Sequence, residues 1–436
     1  MPTLSGVHQQ TLAWAVLLFV LAALVTKRVR YDIASFAGLL VLGLFGVVTP
    51  VQLFSGFGNP ALFTVAAVLV MSEGIVASGL MAGMGLAIAH RLHKPETQIL
   101  SLSVVAGLLS AFMNNVGAIG LVLPTAKRMA ARAEASRSSY GMPLVYASIV
   151  GGSITLIGTA SNILVSSHRM AALGAPFKMF DFAIHGMVMS LTCLLLWFAG
   201  RLFGYDPMKE RDEYGRRSVS APDPEGIGEQ GLGEPYSTRS RKKTILTLLA
   251  TVPVIILTSM GILHSSVGFG LSAVILIAVG ILEIDKAYRS LTMPVLIFIG
   301  SMIGITAALQ KTGALDTLVS RIAPALVGLP PLLVIWIILN LTTIWSNILG
   351  NTVAAVLMAP LVVSLAGTGI IGVTPDSLLM AVAAGSSLGL VLPTHQATMV
   401  TQSHMHFSSR SFMKYGAVIA LFGGITASLA IYAVWL

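Results

Sequence analysis

Charge is scarce in this sequence. Only 10% of its 436 residues are Asp, Glu, Lys or Arg, against 55% that are hydrophobic. That balance excludes a soluble enzyme of ordinary make-up, because apolar runs of about 20 residues, the length that spans a bilayer core, recur along nearly the whole chain. Cysteine is scarcer still: Cys193 stands alone inside an apolar run, which rules out an internal disulfide. At membrane depth there is no His-Glu-x-x-His, no Cys-His pairing and no pair of aspartates, the groupings that a membrane-embedded hydrolase or transferase would use. No enzyme activity and no organic cofactor are expected. Acidic residues are also few, 17 against 26 Lys and Arg, for a net charge of +9. The excess does not point to nucleic acid, since the basic residues sit in short loops between apolar runs, where they set orientation in a bilayer.

The chain therefore reads as an all-α polytopic membrane protein. Apolar runs fall near residues 11–26, 32–48, 60–81, 142–166, 181–203, 244–264, 267–283, 291–309, 378–401 and 412–435, which makes ten expected spans. The first has no basic residues before it and is followed by Lys27-Arg28, so it is expected to be retained rather than cleaved as a leader. Two further stretches, 99–126 and 332–366, are interrupted by Asn114-Asn115 and by Ser346-Asn347 with Asn351-Thr352. Each is read as a re-entrant hairpin with its polar tip inside the bilayer, since polar backbone at that depth is tolerated only within protein or around water. If the hairpins do not cross and both termini lie outside, 22 of the 26 Lys and Arg residues fall in inward loops. The bias is the one that positive-inside orientation requires, and it makes an inner, plasma-membrane location of a bacterium the expectation.

The segment 205–243 is the one hydrophilic insertion and holds eight of the 17 acidic residues. It reads as a disordered cytoplasmic linker between two similar halves. Within the halves, 1–98 and 244–330 answer each other, as do 99–204, with its hairpin over 99–135, and 331–436, with its hairpin over 332–366. Each half holds five expected spans, an odd number, so the halves are expected to be inverted repeats. The second feature they share is a broken helix: Gly151 to Asn162 carries glycines, hydroxyls and an amide inside an apolar run, and Gly385 to Gln396 does the same late in the chain.

Four polar clusters thus lie at membrane depth: Asn114-Asn115, Thr159 to Asn162, Asn351-Thr352, and Thr394-His395-Gln396 with Ser386 and Ser387. Apart from His395 all are neutral. Amides, hydroxyls and the N–H groups at helix N-termini favour an anion, while free carbonyls at the opposite helix ends coordinate Na⁺. A small oxyanion partly neutralised by sodium fits that inventory without a buried Arg or Lys in the clusters.

Phe112 to Ala118 with Leu123-Pro124 resembles the first Ser-Asn-Thr hairpin tip of the divalent-anion/sodium symporter family, within the ion transporter superfamily. Gly350 to Ala354 resembles the second tip, Thr155 to Asn162 the family's Gly-Thr-x-x-Asn loop, and Leu392 to Thr398 the matching loop of the sulfate-type branch. The resemblance implies an elevator-type homodimer, with spans one to three and six to eight as scaffold and the hairpins with the remaining spans as a moving transport domain. It implies one sodium site at Asn115 with Gly158, Thr159 and Asn162, a second at Asn351 with Pro393 and Gln396, and an anion held by Asn114, Asn115, Gly350, Asn351, Thr352, Thr394 and His395. Val116 and Gly350 replace hydroxyl residues of the family pattern, which argues against a strict C4-dicarboxylate specificity. Three ionisable residues stand apart. Glu73 inside an apolar span is a candidate proton-coupling site, His395 a candidate anion ligand or pH sensor, and Lys311 is expected to snorkel to the outer interface. The expected function is sodium-driven transport of a sulfate-like anion or a di- or tricarboxylate, with a sodium/proton antiporter or arsenite-type exporter as the rival on the same fold.

Overall fold

The structure is a computed structural model that describes residues 6–26, 28–79, 94–199, 241–369 and 372–436. The expected linker falls outside the described residues except at 241–243, and so do the basic residues near 91 and 201. No strand occurs among the described residues. The first half runs α1 (Gly6–Thr26), α2 (Tyr31–Leu44), a short α3 (Pro50–Ser55), α4 (Pro60–Ala77), α5 (Pro95–Ser110), α6 (Asn115–Arg132), α7 (Arg137–Gly151), α8 (Ala160–Leu173) and α9 (Ala183–Ala199). The second runs α10 (Arg241–Ser259), α11 (Ser265–Ala278), α12 (Ile284–Ser290), α13 (Met293–Lys311), α14 (Ala314–Leu326), α15 (Pro331–Leu349), α16 (Asn351–Gly367), α17 (Pro375–Ser387), α18 (Gln396–Met405) and α19 (Ser409–Trp435).

Helix starts follow local chemistry. Pro60, Pro95, Pro331 and Pro375 occupy first-turn positions, where the missing N–H costs nothing. Asn59 Oδ1 accepts from Ala61 N at 2.8 Å and Thr374 Oγ1 from Ser377 N at 3.1 Å, so two of these starts are also capped by side chains. Six helices among the described residues are long and apolar enough to cross a membrane, α1, α13, α15 and α19 among them; α2, α9, α11 and α16 are apolar but shorter. Three short helices, α3, α12 and α14, lie where the sequence reading placed only loop. In α14 the buried residues Ala314, Leu315, Val319, Ala323 and Leu326 recur at helical spacing while Asp316 and Arg321 face outward, so its amphipathic pattern is too polar on average to register as a span.

Both expected hairpins are helix pairs, α5 with α6 and α15 with α16, and both expected broken helices are interrupted, between α7 and α8 and between α17 and α18. The packing runs in matched pairs. α4 lies on α11 and α13 on α2; α5 lies on α7 and α15 on α17; α8 lies on α16 and α18 on α6; and α9 lies on α19. Small residues set the closest approaches. A methyl group on Gly151 would fall 2.5 Å from the Gly107 Cα, and one on Gly385 would touch the Leu339 carbonyl oxygen and lie 2.9 Å from Thr342 Cβ. Backbones that meet this closely are how helices associate where lipid supplies no hydrophobic drive.

Candidate functional site

At the first hairpin, Ala111 to Asn114 turn the chain from α5 into α6. Ser110 Oγ donates to Asn115 Oδ1 at 2.6 Å. The adjoining break consists of a single 3-10 turn, Gly152–Ile154, followed by extended backbone at Thr155 and Thr159. It is pinned from several sides: Thr155 Oγ1 donates to the Ala111 carbonyl, Asn162 Nδ2 donates to Thr155 O at 2.9 Å, and Leu156 N donates to Met179 O at 2.9 Å. Oxygens crowd the two glycines here. A methyl on Gly152 would sit 2.7 Å from Asn115 Oδ1 and 3.1 Å from Gly158 O, and one on Gly158 would sit 2.8 Å from Ser110 O and 3.0 Å from Ala111 O. Asn162 Oδ1 and Ser161 Oγ are buried with no hydrogen-bond partner. Converging carbonyls and an unpartnered amide oxygen make a cradle suited to a cation.

The second hairpin repeats the arrangement. Ser346 Oγ lies 3.0 Å from Asn351 Oδ1 and 2.6 Å from Ser386 O. A methyl on Gly389 would sit 2.5 Å from Ser346 Oγ and 3.2 Å from Asn351 Oδ1. Thr394 Oγ1 donates to Asn347 O at 3.2 Å, the counterpart of Thr155 on Ala111. Asn347 Oδ1 accepts from Val391 N at 2.8 Å and Leu392 N at 3.0 Å, which satisfies two N–H groups of the break. Thr398 Oγ1, third residue of α18 as Asn162 is of α8, is likewise buried and unpartnered. The closing helices seat both breaks: a methyl on Gly186 would lie 2.7 Å from Ile154 Cα, and one on Gly416 would lie 2.7 Å from the Leu390 carbonyl carbon.

Gly350 forms the whole second tip. It ends α15 and opens α16 at φ +93°, a left-handed value that a residue with a Cβ adopts only at a cost. The glycine that the sequence reading counted as a lost hydroxyl is therefore demanded by the backbone. It also leaves the first N–H groups of α16 without a side-chain cap. At the first tip Asn114 fills that role, its Oδ1 accepting from Gly117 N at 2.6 Å.

Of the residues expected to bind solute or ion, Gly350, Asn351, Thr352, Thr394, His395 and Gln396 line one cavity of ≈ 450 Å³, which α1, the α1–α2 turn and α13 close on the other side. Asn114, Asn115, Gly158, Thr159, Asn162 and Pro393 do not line it. His395 caps α18 by accepting from Ala397 N at its Nδ1, 3.1 Å away, which leaves Nε2 as the ring donor in the neutral form. A smaller cleft of ≈ 130 Å³ lies between α4 with the α10–α11 turn on one side and α8 on the other. Ser167 Oγ donates to Asn59 Oδ1 across it at 3.1 Å.

Two ties were not visible in the sequence. Arg169 on α8 makes a two-pronged ion pair with Asp376 at the start of α17, both N···O distances 2.8 Å, and its guanidinium stacks 4.7 Å from the Phe177 ring centre. Lys311 donates to Val47 O at 3.0 Å and Gln52 Oε1 at 3.1 Å, binding α13 to the α2–α3 turn and to α3 itself. Glu73 is half-buried on α4, which packs on α11 and α12, and it lines neither cavity.

The family described as citrate transporter matches residues 17–385. The chain belongs to that family. A 46 kDa membrane protein of Mycobacterium leprae is 27% identical over 393 residues, covering 87% of this chain and 86% of that one. An uncharacterized transporter of Synechocystis is 32% identical over 186 residues, 42% of this chain and 30% of its own length. The chain spans about a third of the first two relatives, 30% and 34%. Among solved structures the YdaH transporter of Alcanivorax borkumensis superposes with a TM-score of 0.60 at 12% identity, over 98% of this chain and 97% of that one. MtrF of Neisseria gonorrhoeae superposes with a TM-score of 0.57 at 14% identity, over 99% and 94%. The matching family and the Synechocystis relative are both described as transporters, and the two solved structures share the fold of this chain.

Proposed function

We propose that this member of the citrate transporter family is a secondary transporter that couples sodium entry to movement of a small divalent oxyanion, either sulfate-like or a di- or tricarboxylate. The observation that carries the reading is the pair of Ser–Asn–Gly clusters, Ser110–Asn115–Gly152 and Ser346–Asn351–Gly389, in which neutral oxygens converge where two helices are interrupted. Neutral amide, hydroxyl and carbonyl oxygens suit a hard monovalent cation. The uncapped N–H groups at Asn351–Val353 and the Nε2–H of His395 present donors to the ≈ 450 Å³ cavity, which suits an anion.

The two halves are inverted repeats in this reading, supported by the packing partners, which exchange in pairs between the halves. Residues 1–98 and 244–330 form the scaffold, and 99–204 with 331–436 form the transport domain. The unequal clefts, ≈ 450 Å³ beside the second tip and ≈ 130 Å³ beside the first break, support alternating access by an elevator movement. The linker and the Arg30 turn lie on the cytoplasmic side, both termini outside, and the protein works as a homodimer in the bacterial inner membrane.

Uptake into proteoliposomes, tested with sulfate, succinate, citrate and phosphate with and without an inward sodium gradient, examines the reading. Sodium-stimulated accumulation of one of these anions is expected. Sodium or proton movement that needs no anion would replace it with the antiporter.

A further inference from the structure

One wall of the ≈ 450 Å³ cavity belongs to neither hairpin. The turn from α1 into α2 supplies it with Arg30 and Tyr31. Among the described residues lining this cavity, Arg30 is the only Lys, Arg, Asp or Glu. Its Nε donates to Asp32 Oδ1 at 3.2 Å and its Nη2 to Oδ2 at 2.9 Å. The two partners differ sharply in exposure: the Asp32 side chain is 7% exposed and that of Arg30 65%. The buried carboxylate therefore acts as an anchor for a guanidinium that lines the cavity and is itself largely exposed. Two of the five guanidinium N–H groups serve Asp32, and the planar fork that remains matches an oxyanion.

We infer that Arg30 is a specificity-determining residue of the transport cavity, recognising the second negative charge of a dianion while the tip of the second hairpin holds the first. The inference rests on the proposed anion cargo. Its physical logic is short-range. Asp32 cancels most of the distant field of Arg30, so the pair does little to attract anions from afar. A dianion already in the cavity gains charge-assisted hydrogen bonds from the guanidinium, and a monoanion bound at the tip has no second charge to use them.

The test begins with whichever of sulfate, succinate or citrate the wild-type protein carries. Uptake is then measured for Arg30→Gln and Arg30→Lys, with the matching monoanionic ester (methyl sulfate, monomethyl succinate or a citrate diester) as competitor. For Arg30→Gln the KM for the dianion is expected to rise about tenfold with the maximal rate retained, and preference for dianion over monoanionic ester to fall by a similar factor. Arg30→Lys, which keeps the charge and loses the fork, is expected to recover part of both. Wild-type KM and preference in Arg30→Gln would overturn the inference, as would a loss of maximal rate with unchanged preference, the mark of a merely structural role. If Arg30→Gln does not fold, Arg30→Lys decides: a preference about threefold below wild type supports the inference, and a wild-type preference overturns it. Failure of the wild-type protein to carry any of the anions would remove the proposed function itself, a result distinct from any difference between variants.

Discussion

Ser346 Oγ lies 3.0 Å from Asn351 Oδ1 across the second hairpin tip, in the same five-residue relationship that joins Ser110 to Asn115 in the first. In each case a glycine of the adjacent broken helix comes so close that a single methyl group would collide with the pair. An asparagine held this way keeps its amide oxygen aimed at the interruption.

Asn115→Ala and Asn351→Ala are therefore expected to abolish sodium-dependent uptake while the purified protein still elutes as a single species. Ser346→Ala, which removes the hydroxyl shared between Asn351 Oδ1 and Ser386 O, should raise the half-saturating sodium concentration by about fivefold, the equivalent of about 1 kcal/mol. Full uptake in both asparagine variants would disprove the assigned ion sites.

Gly158→Ala places a methyl among the carbonyl oxygens of Ser110, Ala111 and Gly152. Overpacking of that kind costs about 1–3 kcal/mol, so a lowered thermal midpoint together with lost sodium stimulation is expected. Stability and sodium response equal to wild type would show that the cradle is looser than described.

Gly350→Ala forces a Cβ onto backbone at φ +93°. The expected cost is about 1–3 kcal/mol, with nothing nearby to clash, so the defect is conformational rather than steric. Uptake should fall because the tip shifts its N–H groups. An unaffected uptake rate in Gly350→Ala would separate the tip from solute binding.

Arg169 and Asp376 form a partly buried pair joining α8 to α17. A double-mutant cycle with Arg169→Gln and Asp376→Asn, read by thermal unfolding, is expected to give a coupling energy of about 1–3 kcal/mol. Additive effects would mean that the pair contributes nothing beyond its separate members.

The positions of the hairpins and breaks could be read from the sequence because Asn, Ser, Thr and Gly stand where a lipid-facing helix carries leucine, and that substitution has few physical explanations. The short helices α3, α12 and α14 could not, since half-apolar segments next to spans look like loops. Ser110 escaped notice for another reason: a serine inside an apolar helix usually bonds its own backbone, and only the folded geometry turns it toward Asn115. Asn347 was seen as an interruption and proved to be the acceptor that stitches Val391 and Leu392 in place. Arg169 and Asp376 lie 207 positions apart, beyond any local pattern. The sequence reading expected both tips to line one solute cavity; the observed cavity takes the second tip alone.

The crossed packing of α8 against α16 and of α18 against α6 has a consequence for biogenesis. While the ribosome is still making the second half, α8 is already inserted with its docking surface vacant, and it stays so until α16 arrives nearly two hundred residues later. The two halves expressed as separate polypeptides are therefore expected to regain function only when they are made together in one membrane.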